Sequence, residues 1–143
     1  MKILLVIDQF GDANNGTTIS AMRFADMLKQ HGHEVRVVST GDEEEGKYVV
    51  QEWHMPFFDR IIKEQGMAFA RPDKVLLEEA IRSVDVVHFL MPFALSIEGR
   101  KIAERLGVPH TAAFHVQPEN ITSSIHLGKV GWINTAIYHW FHF

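Results

Sequence analysis

A doubly wound parallel α/β sheet with helices on both faces is the fold class this sequence predicts, and three observations predict it. Strand-like apolar runs alternate with amphipathic helix-like runs along the chain, no hairpin signal joins any two of the strand runs, and the runs at 3–7 and 85–90 have the look of strands covered on both faces. With 143 residues, 46% of them hydrophobic, the chain has the length and apolar content of one domain with one core, spanning residues 1–143.

Ile3 to Ile7 are consecutive apolar residues, three of them β-branched, and read as the first buried strand, with Asp8 at its carboxyl end. The loop Gln9 to Gly16 has glycines near and at its ends, so its backbone can reach positive φ and approach a ligand closely. Ala21, Phe24, Ala25 and Leu28 follow helical spacing and predict a helix over 17–31, capped by Thr17 or Thr18 and ended by Gly32. Val35 to Ser39 is the second strand, and strand, helix, strand at this spacing is a right-handed βαβ unit. Gly41 to Gly46 encloses the acids Asp42 to Glu45, whose consecutive side chains diverge and predict a solvated loop, not a metal site. Lys47 to Trp53 contains a short third strand, and Phe57, Phe58, Ile61 and Ile62 suggest a short helix with an apolar face. Pro72-Asp73 starts a helix with the buried stripe Leu77, Ala80, Ile81 and Val84. Asp85 to Leu90 is the next strand, Ala94 to Leu106 a helix closed by Gly107 and Pro109, and His110 to His115 a further strand. A final helix aligns Trp132, Ile133, Ala136, Ile137, Trp140 and Phe141 in one stripe, and the sequence is expected to stop inside it, short of the part that would cover that face.

A net charge of −4, from 14 basic and 18 acidic residues, gives no general attraction to nucleic acid or to anionic lipid. The absence of cysteine excludes disulfides and thiolate metal sites. The leading MKILLVIDQ is too short and too soon interrupted by Asp8 to serve as an export signal, so a soluble cytoplasmic chain is expected and the sequon at Asn120 is a chance match. The terminal aromatic stripe lacks the flanking cations of a membrane-surface helix, which leaves at most a weak membrane contact.

In an open parallel sheet, ligands bind beyond the carboxyl ends of the strands where strand order reverses. That rule selects Asp8 with its loop, Leu90 to Phe93, and His115 to Asn120. The loop is not a P-loop, because Thr17 stands where the phosphate-binding lysine would be, and its glycine spacing is not the dinucleotide fingerprint. What remains is a helix amino terminus suited to a phosphate or a sugar hydroxyl. His115 ends a strand with Glu119 four residues on, and is the candidate for proton handling or hydrogen bonding. His88 reads as a satisfied core histidine, and His31 and His33 flank a helix end where the dipole favours a cation. His126, His139 and His142 make no metal spacing, and neither a nucleophile elbow nor a zincin motif is present.

MKILLV, the glycine-containing loop, HGHEVRVVS, DVVHFL before a proline, and GVPHTAAFH before a polar loop together resemble the amino-terminal half of family-4 glycosyltransferases of the GT-B fold. The resemblance implies the Rossmann-like half of a two-domain enzyme that moves a hexosyl group from a nucleotide sugar to a glycan or lipid-linked acceptor with retention of configuration. It implies that the loop bearing Gly11, Asn15, Gly16 and Thr17 approaches the donor diphosphate and the acceptor, with Gly16 offering its amide; Asn15-Gly16 replaces the paired glycines usual there. It also implies that His115 hydrogen-bonds the transferring sugar, beside Glu119 and Asn120, with no metal and no resident cofactor. The family's carboxy-terminal domain, with its nucleotide pocket, has no counterpart in this length, so the chain alone is expected to be inactive, working at the cytoplasmic side and at the inner membrane face if its acceptor is a lipid. The alternative is a non-catalytic α/β module binding a small ligand or a protein. A receiver domain is disfavoured because Asp8 lacks the company of acids that such a domain places after its first strand.

Overall fold

The computed structural model of the chain describes residues 1–11, 15–54, 56, 59–64 and 66–113. Its elements are β1 (Lys2–Gln9), α1 (Gly16–Gln30), β2 (Glu34–Thr40), β3 (Lys47–Val49), α2 (Asp59–Glu64), α3 (Lys74–Arg82), β4 (Val86–Phe89), α4 (Ala94–Leu106) and β5 (His110–Ala112). The strands form one sheet in the order β3-β2-β1-β4-β5, every pair parallel. This is the doubly wound arrangement the sequence predicts.

β1 is central because it has no polar face. Ile3, Leu5 and Ile7 pack with Ala21 and Ala25 of α1, whereas Leu4 and Val6 pack with Leu77, Ala80 and Ile81 of α3 and with Leu95, Ile102 and Ala103 of α4. The two-residue period of the strand thus feeds two separate cores, one per face, and each fully buried Leu or Ile contributes about 1.5–3 kcal/mol.

The helix ends follow their caps. α1 begins one residue before the predicted start, and its cap is Asn15 in place of Thr17 or Thr18: the extended Asn15 backbone lets its side-chain oxygen accept the Thr18 amide, while Thr18 itself turns inward and is buried. Asp73 caps α3 through the amides of Val75 and Leu76, each at 3.1 Å, and Leu77, Ala80 and Ile81 are buried with Val84 packed at the margin. α4 ends at Gly107, whose φ of 67° is the left-handed conformation that glycine adopts freely. Within α4, a β-carbon added to Gly99 would lie 2.8 Å from the Phe89 ring, so the helix sits on β4 at a distance only glycine permits. Gly99→Val is therefore expected to cost about 2 kcal/mol through overpacking, measured as a fall in the denaturation midpoint, although most helix glycines gain from substitution.

Between β3 and α3 the chain makes an excursion that the alternation of elements does not foretell. Glu52 and Ala70 pair antiparallel, with Trp53 N–H donating to Phe69 O at 2.7 Å and Arg71 N–H to Gln51 O at 2.8 Å. No tight turn joins these partners, so no turn dipeptide marks them in the sequence. The 41–46 loop is exposed, as its acids require. The terminal aromatic stripe, the sequon, the histidines beyond Ala113, and Phe57 and Phe58 lie outside the described residues, as do the side chains of Ile61 and Ile62. Among the described residues no helix is long and apolar enough to cross a membrane.

Candidate functional site

Strand order reverses between β1 and β4, and beyond their carboxyl ends lies a cavity of about 130 Å³. Asp8 and Gln9 of β1 line it, with Asn15, Thr17 and Thr18 at the start of α1. Met67 and Ala68 of the excursion and Met91 and Phe93 after β4 also line it. Phe69 meets Phe93 edge to face at 4.7 Å and fixes the excursion against the β4 end.

Asn15 is the knot of this site. Its Oδ1 accepts from the amide and hydroxyl of Thr18 at 2.9 and 3.1 Å, and its Nδ2 donates to Gly66 O at 3.0 Å and Gln9 Oε1 at 3.3 Å. The side-chain amide is therefore fully occupied by protein groups. Thr17 reaches the cavity wall, whereas Gly16 is exposed and a β-carbon there would meet nothing within 4 Å. Gly11 has a φ of 104°, and Lys47 Nζ donates to the neighbouring Phe10 O at 3.2 Å, so the base of β3 braces the loop. Thus Asn15 and Thr17 come together at one cavity, and Gly11 and Gly16 frame the loop that leads to it. His115, Glu119 and Asn120 lie outside the described residues; β5, which precedes them, ends at the same edge of the sheet.

Sequence reasoning placed Asp8 with its loop at the ligand-binding edge of the sheet but gave its side chain no role. It is only 3% exposed; its Oδ2 accepts the Ala70 amide at 3.0 Å, its backbone oxygen accepts Thr40 Oγ1 at 2.7 Å, and its Oδ1 has no hydrogen-bond partner among the described residues. Burial pushes its carboxyl up to about 7, with the Ala70 hydrogen bond pulling the other way. The available signal was an acid directly continuing an otherwise unbroken apolar strand at the edge where ligands bind.

His88, His31 and His33 have partners within the fold. His88 is half-buried, with Nδ1 2.7 Å from Thr111 Oγ1 and its ring 5.2 Å from Phe24. His31 caps α1, its Nδ1 2.8 Å from Met27 O, and His33 Nδ1 lies 3.4 Å from the amino terminus. Among the described residues no three His, Asp or Glu side chains are grouped to hold a metal ion.

Residues 14–142 match the family model described as Glycosyltransferase Family 4. The chain is 26% identical to a GDP-mannose-dependent alpha-mannosyltransferase of Corynebacterium glutamicum, over 95% of this chain and 35% of that protein. It is 26% identical to an alpha-monoglucosyldiacylglycerol synthase of Streptococcus pneumoniae, over 91% of this chain and 30% of that protein. It therefore spans about a third of the length of these curated relatives. The crystal structure of Acinetobacter baumannii MurG shares the fold, with a TM-score of 0.52 at 16% identity over 90% of this chain and 39% of that one.

Proposed function

Because the chain belongs to Glycosyltransferase Family 4, we propose that it forms the acceptor-side, amino-terminal half of an enzyme that moves a hexosyl group from a nucleotide sugar to a glycan or lipid-linked acceptor with retention. The observation that carries this reading is the coincidence of the family match with a cavity at the reversal of strand order, where a Rossmann-like half must meet its ligands. The names of two relatives favour GDP-mannose as a donor and a glucosylated diacylglycerol as a product, hence a lipid as one class of acceptor.

In this reading the second half supplies the nucleotide pocket, and the present chain is inactive without it. The leaving phosphate helps to deprotonate the acceptor hydroxyl on the same face of the sugar. The protein's share is then positioning and charge stabilisation, with no metal and no resident cofactor. The reaction takes place on the cytoplasmic side, near the membrane if the acceptor is a lipid.

The test is transfer by the intact protein from GDP-mannose or UDP-glucose to glycan and glycolipid acceptors, with the product anomer read by NMR. An α product from an α donor supports the reading; an inverted product removes retention, and absence of transfer with every pair removes the function. Gly16→Ala separates site from fold. Because its β-carbon would meet open space, stability should change by no more than about 0.5 kcal/mol, while transfer falls about tenfold as the methyl group enters the space left for the donor.

A further inference from the structure

We propose that the 66–70 segment is a strap along the cavity whose hold on β1 depends on the protonation of Asp8: fastened in acid, and loosened as the pH rises. The inference goes beyond the transferase reading and does not depend on it.

The two arms of the excursion bond to each other, through Trp53 N–H to Phe69 O and Arg71 N–H to Gln51 O. Among the described residues, two hydrogen bonds join the excursion to α1 and β1: Asn15 Nδ2 donates to Gly66 O at 3.0 Å, and Ala70 N–H donates to Asp8 Oδ2 at 3.0 Å. Its apolar anchors nearby are the Phe69–Phe93 ring contact and the small side chain of Ala70. Met67 and Ala68 lie between the two fastenings and line the cavity, so a strap that lets go widens it.

Of the two fastenings, Asp8 is the one that titrates. Its carboxyl is buried, one oxygen holds the Ala70 amide, and the other has no hydrogen-bond partner among the described residues. A negative charge there has one N–H to answer it, so the fastened strap favours the neutral acid. Around it β2 brings Thr40, α1 brings Thr17 and Thr18, and the stretch after β4 brings Met91 and Phe93, all uncharged. Lys47 and Glu44 reach Phe10 and Gly11 beyond the strand end, and among the described residues neither forms an ion pair with Asp8. The carboxyl accordingly stands at about 7, raised from 3.8 by burial. A proton bound more tightly in the fastened form is released on opening, so the fastened form is favoured fully below about pH 4 and loses ground until about pH 7. Loosening the strap lets water reach the carboxylate and gives up one hydrogen bond and little apolar surface, which is less than unfolding the sheet requires.

The experiment is amide hydrogen exchange of the intact protein from pH 5 to pH 8, read by NMR after labelling alanine and leucine with nitrogen-15. Rates are expressed as protection factors, which remove the intrinsic rise of exchange with pH. The Ala70 amide reports the strap, and the Leu5 amide in the central strand reports global unfolding. In the wild type, Ala70 protection should fall about hundredfold across this range, the factor set by the two positions of the carboxyl, and stay at least about tenfold below that of Leu5. Asp8→Asn keeps an oxygen for the Ala70 amide and has nothing to ionise, so its protection should hold within about threefold. Asn15→Ser keeps a capping oxygen for α1 but has no amide to give Gly66 O; it should lower Ala70 protection about fivefold at every pH and leave the pH dependence in place. Thermal melts confirm that each variant is folded; if Asn15→Ser is not, the comparison of wild type with Asp8→Asn decides the matter alone. Ala70 protection that is flat with pH in the wild type, that falls as steeply in Asp8→Asn, or that equals Leu5 protection throughout overturns the inference.

Discussion

Asp8→Asn is expected to be more stable than the wild type at pH 8 and to lose that advantage as the pH falls towards 4. The carboxyl stands at 3.8 in its ordinary state and at about 7 when folded, because burial penalises its charge. Between those values the native state holds a proton that the unfolded chain has released. Unfolding therefore frees a proton, and raising the pH favours unfolding. The stabilisation is complete below about pH 4, declines through the interval and is gone above about 7. A displacement of this size corresponds to about 4 kcal/mol, an order of magnitude for one buried group. Asparagine mimics the protonated acid, since its oxygen can accept the Ala70 amide and it carries no charge to bury. Denaturant titrations of both proteins from pH 4 to pH 8 read the difference directly. Parallel stability profiles would mean that the Asp8 carboxyl titrates as it does in water.

His115→Ala in the intact enzyme is expected to lower kcat/KM for transfer by about a hundredfold, the range seen when one donor to a transition-state charge is removed. The proposed role is a hydrogen bond to the transferring sugar, whose developing charge it would stabilise. The described part of the fold supplies the frame for it. β5 runs parallel to β4 and ends at the cavity's edge of the sheet, roughly 10 Å from β1 by strand spacing, and His115 follows three residues after Ala112. A role in positioning the reacting sugar predicts a fall in kcat with acceptor KM little changed, whereas ground-state binding alone would raise KM. Transfer at the wild-type rate would remove this residue from the site.

The parallel sheet class and the main helices were legible because their signals are local. α4 matches its predicted span of 94–106 because Gly107 ends it, and α3 follows Asp73 because an aspartate before an amphipathic run satisfies the first free amides. Asn15 shows where local reading stops: taken from sequence as a ligand contact, it is bonded on one side to its own helix and on the other to Gly66, far along the chain. Asp8 is the same lesson in reverse. Its partner Ala70 N belongs to an excursion with no turn signature, so neither the contact nor the buried, half-satisfied carboxyl follows from any nearby pattern.

The side chains of β1 and α1 that fasten the 66–70 segment grip main-chain atoms only, the Gly66 carbonyl and the Ala70 amide. Those two anchors are indifferent to what projects from Met67 and Ala68 between them. Exchanging these two residues can thus reshape the chamber's lining, and with it the choice of guest, without unfastening the wall that carries it.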